Sequence, residues 1–144
     1  MASNMGVRVE YANLEHFDRD GDYCRRRRRI RLQHGMLERL ERSVLAHELA
    51  HVYYDDEKSM IPHLDERMER RADEWAAHLL IEQESYTAAA ERFGRHIEHI
   101  AQELGVMDYL VDAYERTLER VGDTVYVNPR HGAGQWDKRI EAVA

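Results

Sequence analysis

The sequence predicts an α+β fold, predominantly helical, in which a small antiparallel sheet lies beside a helix carrying HExxH and a helical hairpin follows toward the C-terminus. Three observations predict it. Val7, Val9 and Tyr11 alternate with polar residues, as on a strand with one buried face. From Met36 to Asp56 the apolar residues Leu37, Leu40, Val44, Leu45, Leu49 and Val52 recur at helical spacing, and Met68, Ala72, Trp75, Ala76 and Leu79 repeat the pattern. Beyond residue 82, Gly94, Gly105 and Gly122 divide apolar-periodic runs into short helices.

Taken in order, Val7 to Tyr11 is the first strand, and Tyr23 to Gln33 its antiparallel partner across Asp18-Arg19-Asp20-Gly21-Asp22, so that a β-hairpin occupies residues 1–34. The aspartates of that turn lack the later bidentate glutamate of a calcium loop, so an ordinary solvated turn is expected. On an extended strand Arg25, Arg27, Arg29 and Arg31 would share one face, and Ile30 and Leu32 the other; the arginines then protect an exposed edge or prefer acidic side chains of a peptide laid beside it. Residues 35–81 hold two helices. Between them Asp55 to His63, with Pro62, reads as a loop, and Asp65 as the N-cap of a helix running to about Ile81.

The helical region 82–122 follows, with helices from about Ser85 to Gly94, His96 to Leu104 and Met107 to Val121. Ala101, Gly105 and Val111 fit the placement of a small residue, a turn glycine and a buried aliphatic in a helix-turn-helix, which raises DNA binding through residues 97–120. Asp108, Asp112, Glu115 and Glu119 on the would-be recognition helix argue against it. His96, His99 and Glu103 share a helix face, as charged helices often arrange, and are not taken as a second metal site. In 123–144, Thr124 to Val127 suits a short strand; Asn128-Pro129 and Gly132-Ala133-Gly134 break structure, and a mobile tail is expected apart from Trp136.

A chain of 144 residues is one domain's worth, so residues 1–144 are expected to form a single unit. No apolar run approaches the roughly 18 residues of a membrane span, and the opening Met-Ala-Ser-Asn-Met-Gly has neither the basic nor the apolar stretch of a signal peptide. The single cysteine, Cys24, cannot form an internal disulfide; together these favour a cytoplasmic protein. A net charge of −7 argues against nucleic acid as the main partner.

Chemistry concentrates in His47-Glu48-Leu49-Ala50-His51. On a helix, residues four apart lie on one face, so His47 and His51 can aim two imidazole nitrogens at one point. That point suits a metal ion, and zinc is its usual occupant, because two neutral imidazoles with a carboxylate leave one corner of a tetrahedron for water. Glu48 projects beside the ion and is the natural general base. The third protein ligand should come from a second helix, where Glu69-Arg70-Arg71-Ala72-Asp73 offers Glu69. Glu66, one turn earlier, is the fallback. Asp73 shares a face with Glu69 and can accept the other ring N–H of a ligating histidine, fixing its tautomer, with His47 the expected partner.

His47-Glu48-Leu49-Ala50-His51 followed by Glu69-Arg70-Arg71-Ala72-Asp73-Glu74-Trp75-Ala76-Ala77-His78-Leu79-Leu80 resembles the ImmA/IrrE family of small zinc metallopeptidases. That family shows HELGH and then a segment close to E-x-x-A-D/N-x-F-A-x-x-L-L. Ala50 replaces the commoner glycine, Trp75 the usual phenylalanine, and Ile81-Glu82 the Met-Pro that often follows. The resemblance implies a thermolysin-like core, with His47, His51 and Glu69 as zinc ligands and Glu48 as base. It further implies an intracellular endopeptidase whose protein substrate is a helix-turn-helix transcriptional repressor of a mobile element or stress response. The alternative is a regulatory protein of the same fold that sequesters the repressor without cutting it. A donor for the developing oxyanion is also expected; His63, His78, His131, Tyr53 and Tyr54 are the candidates.

Overall fold

The computed structural model describes residues 1–57, 61–121, 124–129 and 136–141. The chain divides into two compact units, Met1–Leu80 and Ile81–Ala144. The fold is α+β and predominantly helical.

In the first unit three strands, β1 (Arg8–Ala12), β2 (Gly21–Cys24) and β3 (Arg29–Gln33), form a sheet in the order β1-β3-β2. The antiparallel partner of β3 is β2, with Tyr23 opposite Ile30, while β1 runs parallel to β3, with Val9 opposite Ile30 and Tyr11 opposite Leu32. The sheet is therefore mixed, which corrects the expected hairpin between residues 7–11 and 23–33. The stretch taken as one strand is itself a hairpin. Arg25 to Arg28 form its turn, Arg28 adopts a left-handed conformation with φ 48, and the Arg28 N–H donates to the Arg25 carbonyl. Four consecutive cations offer neither face of a strand anything to bury, so only Arg29 and Arg31 keep the expected alternation, with Ile30 and Leu32 wholly buried behind them. The connection from β1 to β3 contains β2 and a short 3-10 turn, Glu15–Phe17, and so has the length that a parallel pairing requires.

Helix α1 (Glu38–Tyr54) lies across this sheet, as the periodicity predicts. Val44, Leu49 and Val52 close over Val7, Ile30 and Leu32, and this cluster is the core of the first unit. Burying side chains of this kind stabilises the fold by about 1.5–3 kcal/mol each. Glu38 and Glu41 sit in the first turn of α1, where the helix dipole favours negative charge. Helix α2 (Pro62–Leu80) packs on α1, with Ala46 and Ala50 of one and Ala72 and Ala76 of the other fully or almost fully buried. It begins a turn earlier than the expected Asp65 cap. Pro62 lacks the N–H that a first-turn residue cannot bond anyway, so it opens the helix rather than preventing it.

The second unit contains α3 (Gln83–Phe93), α4 (Ile97–Leu104) and α5 (Asp108–Arg116). Gly105, at φ 66, ends α4 in a left-handed turn, and the next N–H, of Val106, bonds the Ala101 carbonyl 3.0 Å away. Leu110, Val111 and Tyr114 of α5 are buried, as are Ile100 and Ala101 of α4. Helix α5 stops well before the expected Val121. Thr117 turns its hydroxyl back to donate to the Tyr114 carbonyl at 2.6 Å, and Leu118–Val121 becomes a strand, β4. It pairs with β5 (Thr124–Pro129), which pairs in turn with β6 (Trp136–Glu141), both antiparallel. Residues 136–141, where a tail is expected, are thus a strand. Gly122 and the expected break at Gly132-Ala133-Gly134 lie outside the described residues. No helix among the described residues is long and apolar enough to cross a membrane.

Candidate metal centre

Two turns of α1 present His47 and His51 to α2, and α2 returns Glu69 and Asp73 to them. His47 Nε2 lies 2.9 Å from Glu69 Oε2 and 3.1 Å from His51 Nε2, and His51 Nε2 lies 3.4 Å from Glu69 Oε1. The two imidazoles meet nearly edge-on, at 78°. A tetrahedral ion with bonds of about 2.05 Å separates its ligand atoms by roughly 3.3 Å, so the three groups stand at the spacing of one face of such a site. Two imidazoles and one carboxylate are also the donor set of an open catalytic zinc site.

The far side of each ring explains why the Nε2 atoms converge. His47 Nδ1 is 2.8 Å from Asp73 Oδ1, and His51 Nδ1 is 2.9 Å from Asp56 Oδ2. A carboxylate only accepts, so each Nδ1 carries a proton and each neutral ring turns a bare Nε2 lone pair inward. Two lone pairs and the Glu69 carboxylate then face one another, an arrangement that needs a cation between them. Protons reveal the same demand. Burial disfavours a charged His47, but hydrogen bonds to Asp73 and Glu69, with the nearby Glu48 charge, outweigh it and raise its pKa to about 10. His51 is raised too, burial again opposing while Glu69 and Asp56 prevail. The two imidazoles hold the Glu69 carboxyl well below the usual carboxylate range.

Glu48 is buried, at 7% exposure, on the side of α1 that faces the sheet. Burial raises its pKa, against the lowering charges of His47 and His51. Its neighbour there is Gly21, the first residue of β2: a Cβ placed on Gly21 would stand 3.4 Å from Glu48 Cγ and only 2.6 Å from Val44 Cγ1. A glycine assigned to a solvated turn is thus the residue that lets the sheet approach the helix at Glu48.

The structure brings His47, His51 and Glu69 into one cluster, with Asp73 against His47. Glu66, the fallback, is exposed and lies outside it. Asp56 was missed, because it falls in a polar stretch with no periodicity; its signal is position, just beyond the helix end that carries His51. Among the suggested oxyanion donors, Tyr53 lies tilted against Trp75, Tyr54 lies beneath Arg71, and His63 is exposed. His78 is held below its ordinary pKa by burial, and His131 lies outside the described residues. In the second unit the His96 and His99 rings lie tilted at 33° with centres 5.6 Å apart, and Phe93 meets His99 edge-on.

No curated protein matches the chain. The model of the IrrE N-terminal-like domain, Peptidase_M78, matches residues 2–113, a span that contains the sheet, both helices of the cluster and every residue described around it. The chain belongs to that family of peptidase-like domains.

Proposed function

We propose that this chain is a zinc-dependent endopeptidase, with His47, His51 and Glu69 holding the metal and Glu48 as general base, and that its substrate is a protein, a helix-turn-helix transcriptional repressor in the cytoplasm. The observation that carries the metal and the chemistry is the convergence of two inward Nε2 atoms on the Glu69 carboxylate, with a buried glutamate at the next position of the same helix. The repressor rests on the resemblance of the two motif segments to a family that acts on such proteins.

When bound, zinc would supply Lewis acidity to a peptide carbonyl and would acidify a water molecule. The residues supply the rest. Asp73 and Asp56 hold the rings in the tautomer that frees Nε2. Glu48, its carboxyl raised by burial, accepts a proton from the attacking water and delivers it to the leaving amine, for which a carboxyl poised nearer neutrality is the better shuttle. Ala46, just before the motif, and Ala50, within it, are buried; they keep the backbone of α1 close to its neighbours and fix the direction of the ligands.

The test is Glu48→Gln, with metal content measured by elemental analysis and a candidate repressor's fragments mapped by mass spectrometry. The wild type should carry zinc near one equivalent and cut at a defined bond. The variant should keep zinc and partner binding and lose hydrolysis by about a thousandfold or more. A variant that still inactivates the repressor would replace this reading with sequestration without cleavage.

A further inference from the structure

Three consecutive acids, Asp55, Asp56 and Glu57, follow α1, and each meets an arginine or a histidine. Asp55 ends the helix in a left-handed conformation, φ 54 and ψ 41, and the Asp56 N–H bonds the His51 carbonyl at 2.9 Å. A non-glycine residue adopts that conformation only at some cost, and aspartate is among the few that tolerate it. The turn folds the chain back on the helix, which places the Asp56 carboxylate against His51. Asp56 is 9% exposed, so its charge is largely removed from water and needs compensation. Its two oxygens are divided: Oδ2 accepts from His51 Nδ1, and Oδ1 accepts from the Arg71 guanidinium. That guanidinium lies over the Tyr54 ring, 3.8 Å from its centre, where cation–π attraction steadies it. Arg25 meets both outer acids, donating to Asp55 at 2.6 Å and to Glu57 at 3.1 Å, and Arg28 stands 4.0 Å from the other Asp55 oxygen.

We propose that Asp56, clamped by Arg71, is the positioning residue for His51: it holds the proton on Nδ1 and so turns Nε2 toward Glu69. Arg71 and Arg25, which the sequence offers only as members of charged runs, thereby acquire a role in the site. The inference rests on the metal reading for its consequence, but the tautomer it predicts belongs to the chain alone. His47 is held by a carboxylate on the packed helix α2, and His51 by one on a turn whose acids pair with Arg71, Arg25 and Arg28.

Two measurements test it on the full chain. One is the zinc affinity at a fixed pH by competition with a chromophoric chelator. The other is the ring-nitrogen NMR shifts of His51 in metal-free protein, above the pH at which the ring is protonated. Asp56→Ala should weaken zinc binding by about 10–100-fold, the usual effect of removing such a partner, and should replace the single Nδ1–H tautomer with a mixture. Asp56→Asn, whose amide oxygen still accepts from Nδ1 while the 44%-exposed Arg71 turns to water, should restore the tautomer and most of the affinity. Arg71→Ala should move both readouts in the direction of Asp56→Ala, by less. Asp56→Ala with the wild-type tautomer and affinity overturns the proposal, as does Asp56→Asn behaving no better than alanine. A wild type that binds no zinc defeats the proposed function instead, and the tautomer measurement then decides the clamp by itself.

Discussion

Gly21→Ala adds a single methyl group where β2 meets α1. The new carbon would stand 2.6 Å from Val44 Cγ1, well inside the roughly 3.5–4.0 Å of an ordinary carbon–carbon contact. Sideways relief is closed, because the Arg31 carbonyl oxygen lies 3.3 Å away and Glu48 Cγ 3.4 Å away. Val44 is itself buried, and a β-branched side chain on a helix has one strongly preferred rotamer, so it cannot swing aside without cost. Overpacking of this kind costs about 1–3 kcal/mol, against about 0.4–1 kcal/mol returned by the stiffer unfolded chain. Gly21 has no left-handed backbone to protect, so the whole effect is steric. Urea unfolding followed by circular dichroism should show a net loss of about 1–2 kcal/mol. Val44→Ala removes the obstructing methyl, so the double variant should lose less than the sum of the single losses, by about 1 kcal/mol or more. A Gly21→Ala protein as stable as the wild type, with Val44→Ala strictly additive, would refute the close approach of β2 to the helix.

The remaining predictions concern pH and burial. Zinc requires His47 to be neutral, and since this ring holds its proton up to about pH 10, protons compete far above the ordinary histidine range; chelator competition should show zinc affinity still rising from pH 7 to pH 9 instead of levelling near 6.5. Burial pushes the Asp22 carboxyl up, but Arg31, with Arg19 and Arg29, outweighs it and holds the pKa below the usual value. The stability that Asp22 contributes is therefore present above the ordinary carboxylate pKa and lost as pH falls through the lowered one, so Asp22→Asn should flatten that part of the acid limb of a stability–pH profile. Tyr86, 7% exposed, donates to Glu115 at 3.0 Å, and Tyr86→Phe should cost about 1–3 kcal/mol in thermal or urea unfolding by leaving a half-buried carboxylate without its donor.

What was legible in the sequence was whatever repeats along a helix. The period of Leu37 to Val52 located α1 to within two residues at each end, and the four-residue spacings of His47 with His51 and of Glu69 with Asp73 fixed which side chains could meet. Partners across a sheet leave no such mark. The alternation of Val7, Val9 and Tyr11 says which face is buried and nothing of which strand lies alongside, so the parallel pairing of β1 with β3 was read as a hairpin. Arg25 to Arg28 supply length without apolar alternation, so the sequence extends a strand through residues that form the turn. At Thr117 a run that continues helically on paper changes to strand, because the hydrogen-bonded Thr117 closes the helix and β5 takes up Leu118–Val121. Gly21 and Asp56 stand in stretches rich in charge and turn formers, where their value depends on a neighbour brought there by the fold.

The two imidazoles are held with unequal stiffness. Asp73 is built into a packed helix, whereas Asp56 depends on a turn whose outer acids, Asp55 and Glu57, are tied to Arg25 through ion pairs that are about half exposed or more. Added electrolyte screens such pairs and leaves a helix packed on alanines untouched. Rising ionic strength should therefore loosen the site from the His51 side first, giving the salt content of the surroundings a handle on metal retention that acts without touching any atom of the metal-binding face.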